Sequence, residues 1–365
     1  MDPYKHLFYQ SADAAIEAAA AADEAPAMEE GRRRRLQPLQ LPHSQMNFAA
    51  TDCGGILDTF AIFRPRCGEE EEGRIVYFSK FGEAGLYDGD KHLHHTLGVL
   101  NAPKGIRPMC LSMAPHPATN QDSMYVLNWC PGKDNGRCFE VLEPLPNPTQ
   151  LSSNMVTPNW RWRLLPPPPF ISQPGYIPTP ITAYTTAVNG SNGCSTIYVS
   201  FNGGIGTYRF EAARPDPSSH LGWSPLEKWG YVGAWRLPFH GRAQYVSEFN
   251  LWFGFSEFSP SQLCAVDLSA IALGEGGPPT VLEVGQDLNL PDKEHWIPVH
   301  LELVNLGDGK FLIARIFEIE ATSEQFAVLT GIEMLAGAAD DQSLKVVKHK
   351  CARYDFGDDS INWVL

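Results

Sequence analysis

His92, His94 and His95 form the only histidine cluster in the sequence. On a strand, His92 and His94 would share a face, as the first two ligands of a metal must. The spacing supplies no third ligand. Asp88, Asp90 and Lys91 beside them read as a solvated strand end, so no metal site is assigned. The eight cysteines, at 53, 67, 110, 130, 138, 194, 264 and 351, are widely scattered and include no C-x-x-C pair, so neither a zinc knuckle nor a compact disulfide framework is suggested. They read as small buried hydrophobes in a reducing compartment. No G-x-S-x-G, P-loop or strand-to-helix G-x-G-x-x-G occurs, and Gly203-Gly204-Ile205-Gly206 falls between two strand-like runs, where no helix start can cradle phosphate. Asn189-Gly190-Ser191 reads as a plain turn. No catalytic residue, cofactor or metal ligand is therefore assigned, and the chain does not read as an enzyme.

The elements that would hold such residues follow from composition and pattern. The chain of 365 residues carries 28 Lys+Arg against 42 Asp+Glu, a net charge of −14. That balance argues against nucleic acid and acidic membrane surfaces as partners. No apolar run approaches the roughly 20 residues of a membrane helix. There are 32 glycines and 30 prolines, against roughly 44 of the two together at average usage, so turns must be frequent.

From about residue 46 the helical period gives way to short apolar runs separated by turn chemistry, the pattern of an all-β chain. Five runs resemble one another: Ile75-Val76-Tyr77-Phe78, Met124-Tyr125-Val126-Leu127, Ile197-Tyr198-Val199-Ser200-Phe201, Leu251-Trp252-Phe253-Gly254-Phe255 and Phe311-Leu312-Ile313-Ala314. Their starts lie 49, 73, 54 and 60 residues apart, a mean of 59. Each is apolar at consecutive positions, so each must be buried on both faces. A turn and a more polar strand follow, four of these strands carrying an acidic residue near the end: Asp88, Glu140, Glu211 and Asp267. Another short strand precedes each run. Units close on Leu100-Asn101-Ala102-Pro103, Trp162-Arg163-Leu164-Leu165-Pro166, Trp235-Arg236-Leu237-Pro238 and Leu288-Asn289-Leu290-Pro291, which read as edge strands ending on proline.

Four strands per unit with doubly buried inner strands predict a β-propeller of five or six four-stranded blades. Two β-sandwich domains are the alternative, although a sandwich strand keeps one polar face. Residues 46–50 and 361–365 would pair to close the ring. Trp160, Trp162, Trp229, Trp235 and Trp252 read as wedges between blades, and residues 166–169 as a rigid proline connector.

Residues 1–43 form a separate amino-terminal extension, helical or disordered, and residues 44–365 the propeller. Ser11 is placed to cap a helix over residues 11–25 that stops at Pro26. Apart from Ile16 its faces offer only alanine, so an exposed, marginal helix is expected. Met1-Asp2-Pro3-Tyr4-Lys5-His6 has no secretory pattern, and the location expected is cytoplasmic; the run Arg32-Arg33-Arg34-Arg35 makes a nuclear signal the alternative.

Several of these motifs in combination carry a resemblance: residues 162–170, Gly206-Thr207-Tyr208-Arg209-Phe210, residues 235–241, Leu251-Trp252-Phe253-Gly254-Phe255, residues 303–307, residues 328–331 and the early His6-Leu7-Phe8-Tyr9. The sequence resembles a large family of uncharacterised grass proteins known only as a domain of unknown function. The resemblance implies a plant source and a kelch-like, galactose-oxidase-like propeller, and no activity. A copper oxidase of that fold would need histidine and tyrosine ligands with a cysteine-linked tyrosine. His240, His300 and the tyrosines have no spacing that designates such a site. The function expected is a non-enzymatic interaction module binding a protein or peptide at the propeller rim, through loops such as residues 131–137, 214–222 and 291–298. The alternative is an enzyme, or a propeller that binds a small molecule or carbohydrate at the central axis. The sequence sets no oligomeric state.

Overall fold

The structure, a computed structural model, describes residues 3–23, 38–40, 57–63, 73–105, 107–116, 121–132, 136–144, 160–188, 195–215, 223–259, 262–272, 277–284, 288, 295–337 and 344–356. In chain order these form helices α1 (Pro3–Leu7) and α2 (Ala12–Asp23) and strand β1 (Pro38–Gln40). Then come β2 (Leu57–Phe63), β3 (Arg74–Ser79), β4 (Ala84–Asp88), β5 (Leu93–Leu97), β6 (Met109–His116), β7 (Gln121–Leu127), β8 (Phe139–Pro144) and β9 (Trp160–Leu164). A 3-10 turn (Pro169–Ser172) leads to β10 (Ile181–Val188), β11 (Ser195–Phe201), β12 (Gly206–Pro215), β13 (Trp223–Gly233) and β14 (Phe239–Val246). The rest is β15 (Leu251–Ser256), β16 (Leu263–Val266), helix α3 (Ser269–Ala272), β17 (Val281–Val284), β18 (Trp296–Gly307), β19 (Lys310–Ile319), β20 (Gln325–Ala336) and β21 (Leu344–Asp355).

The chain divides into two compact units, one of residues 48–245, 267–280 and 365, the other of residues 1–47, 246–266 and 281–364. In the first, β2–β5, β6–β9 and β10–β13 are three four-stranded antiparallel meanders. The runs of consecutive apolar residues are their second strands. On β7, Met124 and Val126 pack among Val76, Phe78 and Leu86 of the first sheet. Leu127, pointing the other way, packs among Ile197, Val199 and Phe201 of the third. The middle sheet is therefore covered on both faces, unlike either layer of a two-layer sandwich.

In the second unit, β18–β21 form an antiparallel meander, extended by β1 lying parallel to β21 in the register Pro38↔Arg353, Leu39↔Tyr354, Gln40↔Asp355. The strands β15, β16 and β17 pair in antiparallel order. Phe253, Phe255, Leu263 and Ala265 share a core with Phe311, Ile313, Ile332 and Met334. The opposite face of β19 and β20, with Leu312, Ala314, Ile316 and Leu329, is covered by Leu7 and Phe8.

The structure alters three expectations and leaves one outside the described residues. The closing segments at residues 100–103 and 235–238 are connectors, since β5 ends at Leu97 and β13 at Gly233, whereas Trp162, Arg163 and Leu164 end the edge strand β9 as expected and residues 289–291 lie outside the described residues. The feature the segments share is one leucine turned inward, Leu100, Leu165, Leu237 or Leu288, all buried. The Leu100 amide donates to the Gly82 carbonyl at 2.8 Å, that of Leu165 to the Phe139 carbonyl at 3.0 Å, and that of Leu237 to Ser200 Oγ at 2.8 Å. A leucine here plugs the gap between sheets, and proline follows because the connector has no ladder to complete. Second, Ser11 does cap α2, its Oγ accepting the Ala14 amide at 3.2 Å. The helix is nonetheless docked: Ala15 is buried and Ile16 exposed, because α2 packs close on β21, where only a methyl fits. Third, β1 is the strand added to the last sheet; the closing segments proposed at 46–50 and 361–365 lie outside the described residues. Fourth, His92 has left-handed φ of 51° in the turn before β5, so His92 and His94 are not on one strand. Among the described residues no helix is long and apolar enough to cross a membrane.

Candidate functional site

Two regions of the larger unit carry chemistry. One is the end of the sheets that collects the β3–β4 turn, the β5–β6 connector, the β7–β8 loop, the β9–β10 connector and the β11–β12 turn; the antiparallel registers bring all five together. Three large apolar side chains stand out from it: Phe81 is 56% exposed, Val99 61% and Ile177 76%. Beneath them the backbone is tied. Tyr176 Oη donates to the Pro131 carbonyl at 2.6 Å, the Ile181 amide to Trp129 O at 2.9 Å, and the Asn202 amide to Pro180 O at 3.2 Å.

The strongest tie is a buried ion pair. Lys104 Nζ donates to Glu140 Oε1, to the Ala102 carbonyl at 3.0 Å and to the Arg137 carbonyl at 2.7 Å, which uses all three of its protons. Glu140 also accepts the Asn101 amide at 2.9 Å, Asn101 Nδ2 at 2.7 Å and the Ala102 amide at 3.1 Å. Burial holds the Lys104 ammonium below its ordinary pKa, against the pull of the Glu140 carboxylate. With every donor and acceptor in use, the pair fixes the loop and has no proton to offer a reaction.

The other region is the row of first strands. In this unit β2 contacts β6, β6 contacts β10, and β10 runs parallel to β14 with Ala183 opposite Gly241 and Tyr184 opposite Arg242. Thr185 Oγ1 donates to the Ala243 carbonyl at 2.8 Å and holds the last pair together. Cys110 and Ser112 on β6, and Thr182, Tyr184 and Thr186 on β10, are half-buried; His240 and Arg242 on β14 are exposed. Burial pushes the Cys110 thiol up to about 12, and the nearby Arg242 guanidinium pulls against that shift. A thiol so protonated is no nucleophile. Arg242 is a fixed cation. Among the described residues no ion pair joins it to a carboxylate.

The histidine cluster makes no site. His92 Nδ1 lies 2.9 Å from Tyr87 Oη and His94 Nδ1 3.3 Å from Tyr77 Oη. Each nitrogen faces a tyrosine hydroxyl. Among the described residues no three His, Cys, Asp or Glu side chains are placed to hold a metal. His300 Nε2 pairs with Glu302 two residues along β18 at 2.9 Å. Trp160 meets Phe63 edge-on at 5.0 Å and Trp162 meets Phe78 at 6.4 Å, between the first and second sheets. Trp229 lies 5.5 Å from Phe139 and donates to Pro166 O at 2.8 Å. Of the acidic repeat positions, Asp88 pairs with Arg74 at 3.1 Å, Glu211 with Arg209 at 2.9 Å, and Asp267 caps Ser269. These are structural uses.

The loops expected to form a rim are described only in part. Residues 131, 132, 136 and 137 belong to the β7–β8 loop, and residues 214 and 215 end β12. Residues 133–135, 216–222 and 291–294 lie outside the described residues. The exposed Phe81, Val99 and Ile177 carried no periodic signal, since each is a lone apolar residue in turn chemistry. Arg242 was equally silent, because only the parallel pairing of β10 and β14 puts it beside Tyr184.

A model of the family described as Protein of unknown function (DUF1668) matches residues 1–354. The chain belongs to this family. The match takes in α1 and α2 as well as every sheet, so the DUF1668 pattern covers the amino-terminal helices together with the face they dock on. No curated protein matches the sequence.

Proposed function

We propose that this DUF1668 protein is a kelch-like β-propeller in the cytoplasm that binds a protein or peptide partner and catalyses no reaction. The observation that carries the reading is the trio Phe81, Val99 and Ile177, apolar side chains held out to solvent on short connectors at one end of the sheets. Anchored loops lose little entropy on binding, and apolar anchors on a tied backbone are what an interface core needs. Consecutive four-stranded meanders, with the first strands of neighbouring sheets side by side, support the propeller. The test is affinity capture from native extract with the wild-type chain and with Phe81→Ser, Val99→Ser and Ile177→Ser combined. A partner retained by the first and lost with the second supports the reading; a partner retained equally by both overturns it.

A second reading places a small anionic ligand on the row of first strands. It rests on exposed Arg242, which stands opposite Tyr184 on the parallel neighbour strand. Native mass spectrometry of the purified protein tests it: a bound anion displaced by Arg242→Gln supports this reading, and identical spectra overturn it.

A further inference from the structure

His349 of β21 is buried, with no side-chain surface in contact with solvent. Both ring nitrogens are engaged. Nε2 lies 3.0 Å from Glu333 Oε2 on β20, and Nδ1 accepts the backbone amide of Tyr9 at 3.2 Å. A carboxylate can only accept, so the network assigns the neutral tautomer with its proton on Nε2. The amino-terminal segment lies over this ring: Phe8 is centred 4.9 Å from it and Tyr9 6.2 Å, Lys350 sits 5.0 Å above Tyr9, and Tyr4 Oη donates to the Leu306 carbonyl at 2.5 Å. Close approach depends on Gly331, where a Cβ would stand 2.5 Å from the Leu7 carbonyl. Leu7 and Phe8 are buried on Leu312, Ala314, Ile316 and Leu329.

We propose that His349 is a pH-operated latch, and that its protonation releases residues 3–9 and uncovers the apolar strip on β19 and β20. Protonation puts a hydrogen on Nδ1, facing the Tyr9 N–H. Two donors then oppose each other, and the part-buried Tyr9 amide loses the acceptor it has in the docked segment. Glu333 keeps hold of the imidazolium, so the ring stays with β20 and the segment leaves. Three charges reach the ring: Glu333 from β20 favours the charged form, while Lys310 of β19 and Lys350 of β21 oppose it. The segment itself contributes the titratable Tyr9. Burial is the largest influence and holds the docked ring below its ordinary 6.5. Docking is therefore complete above that ordinary value and lost as pH falls below it, the undocked-to-docked ratio rising about tenfold per pH unit until the docked ring itself titrates. This goes beyond the interaction reading, which places its partner on the other unit's loops.

The test is backbone hydrogen exchange on the full chain from pH 7.5 to 5.0, corrected for intrinsic rates and read on the peptide covering residues 4–10. Protection there should fall about tenfold per unit below 6.5 in the wild type, while peptides from β6–β9 keep theirs. Gln can accept from Tyr9 and donate to Glu333 without titrating, so His349→Gln should hold protection level across the range. Glu333→Gln should move the midpoint lower, because the charge that favours the imidazolium is gone. Level protection in the wild type overturns the proposal, as does an unchanged slope in His349→Gln. Loss of all pH dependence in Glu333→Gln overturns it too, by assigning the transition to Glu333.

Discussion

Lys104 and Glu140 form an ion pair from which water is wholly excluded, 36 residues apart in sequence and fixed between the β5–β6 connector and β8. Removing one partner leaves the other as an uncompensated buried charge, whereas removing both does not. Lys104→Met is expected to lower unfolding free energy by about 3–5 kcal/mol, and Lys104→Met with Glu140→Leu to recover most of that loss. Urea unfolding of the two variants gives the comparison; equal losses would show that the pair is not the source.

Gly206 begins β12 at φ of +84°, and a Cβ there would lie 2.2 Å from the Gly233 carbonyl. Gly204, in the same turn at φ of +77°, has open space around it. Gly204→Ala should lose about 1–2 kcal/mol, the price of a left-handed alanine. Gly206→Ala adds a backbone collision and should lose distinctly more. Thermal midpoints of the two variants should fall in that order.

Arg163 reaches from β9 to two carboxylates, Glu143 at 2.9 Å and Glu227 on β13 at 2.5 Å, and so links the second and third sheets. Both pull its ionisation upward, and Glu143, although desolvated, is held below the usual carboxylate range by Arg163 and Arg161. Its neighbour Arg161 pairs with Glu143 at 2.6 Å and is half exposed. Arg163→Ala should lose about 1–3 kcal/mol, because two partly buried carboxylates lose a shared partner; Arg161→Ala should stay within about 1 kcal/mol. For Glu143 the sign is that of a depressed carboxylate. Its contribution is complete above its unfolded pKa and declines as pH falls through the folded one, so the two alanine variants should converge in stability at acid pH.

The cysteines should separate by alkylation rate. Cys130 is exposed, Cys138 and Cys264 are buried, and burial pushes the thiols of Cys110 and Cys138 up to about 12 and about 11. At pH 8 roughly one Cys110 in ten thousand is thiolate. Iodoacetamide with peptide mapping should find Cys130 labelled first among these. Arg242→Gln should slow Cys110 further at pH 10, because the cation that favours its thiolate has gone. Faster labelling of Cys110 in that variant would place Arg242 away from the thiol.

The strands were legible in the sequence because burial on both faces leaves a direct mark. The runs Met124–Leu127 of β7 and Phe311–Ala314 of β19 are apolar at every position, and the structure buries alternate residues of each in different cores. The hairpin at Gly203, Gly204 and Gly206 was legible for a related reason, since positive φ selects glycine. Proline at the ends of the repeats was also visible, but the residue that matters there is the leucine before it, and an inward leucine looks like any other.

What the sequence determined by itself is the local part of this protein: the all-β pattern, the turns, the repeated unit, the capped helix and the acidic balance. Each depends on side chains within a few residues of one another. What only the tertiary structure decided is which distant groups meet. Tyr9 and His349 are 340 residues apart, and the hydrogen bond between them depends on a glycine, Gly331, that lets two backbones come together. Arg242 lies beside Tyr184 because β14 chose β10 as a parallel neighbour. Periodicity records whether a residue is buried, not what buries it, and so the sites of this chain stayed silent until the sheets were assembled.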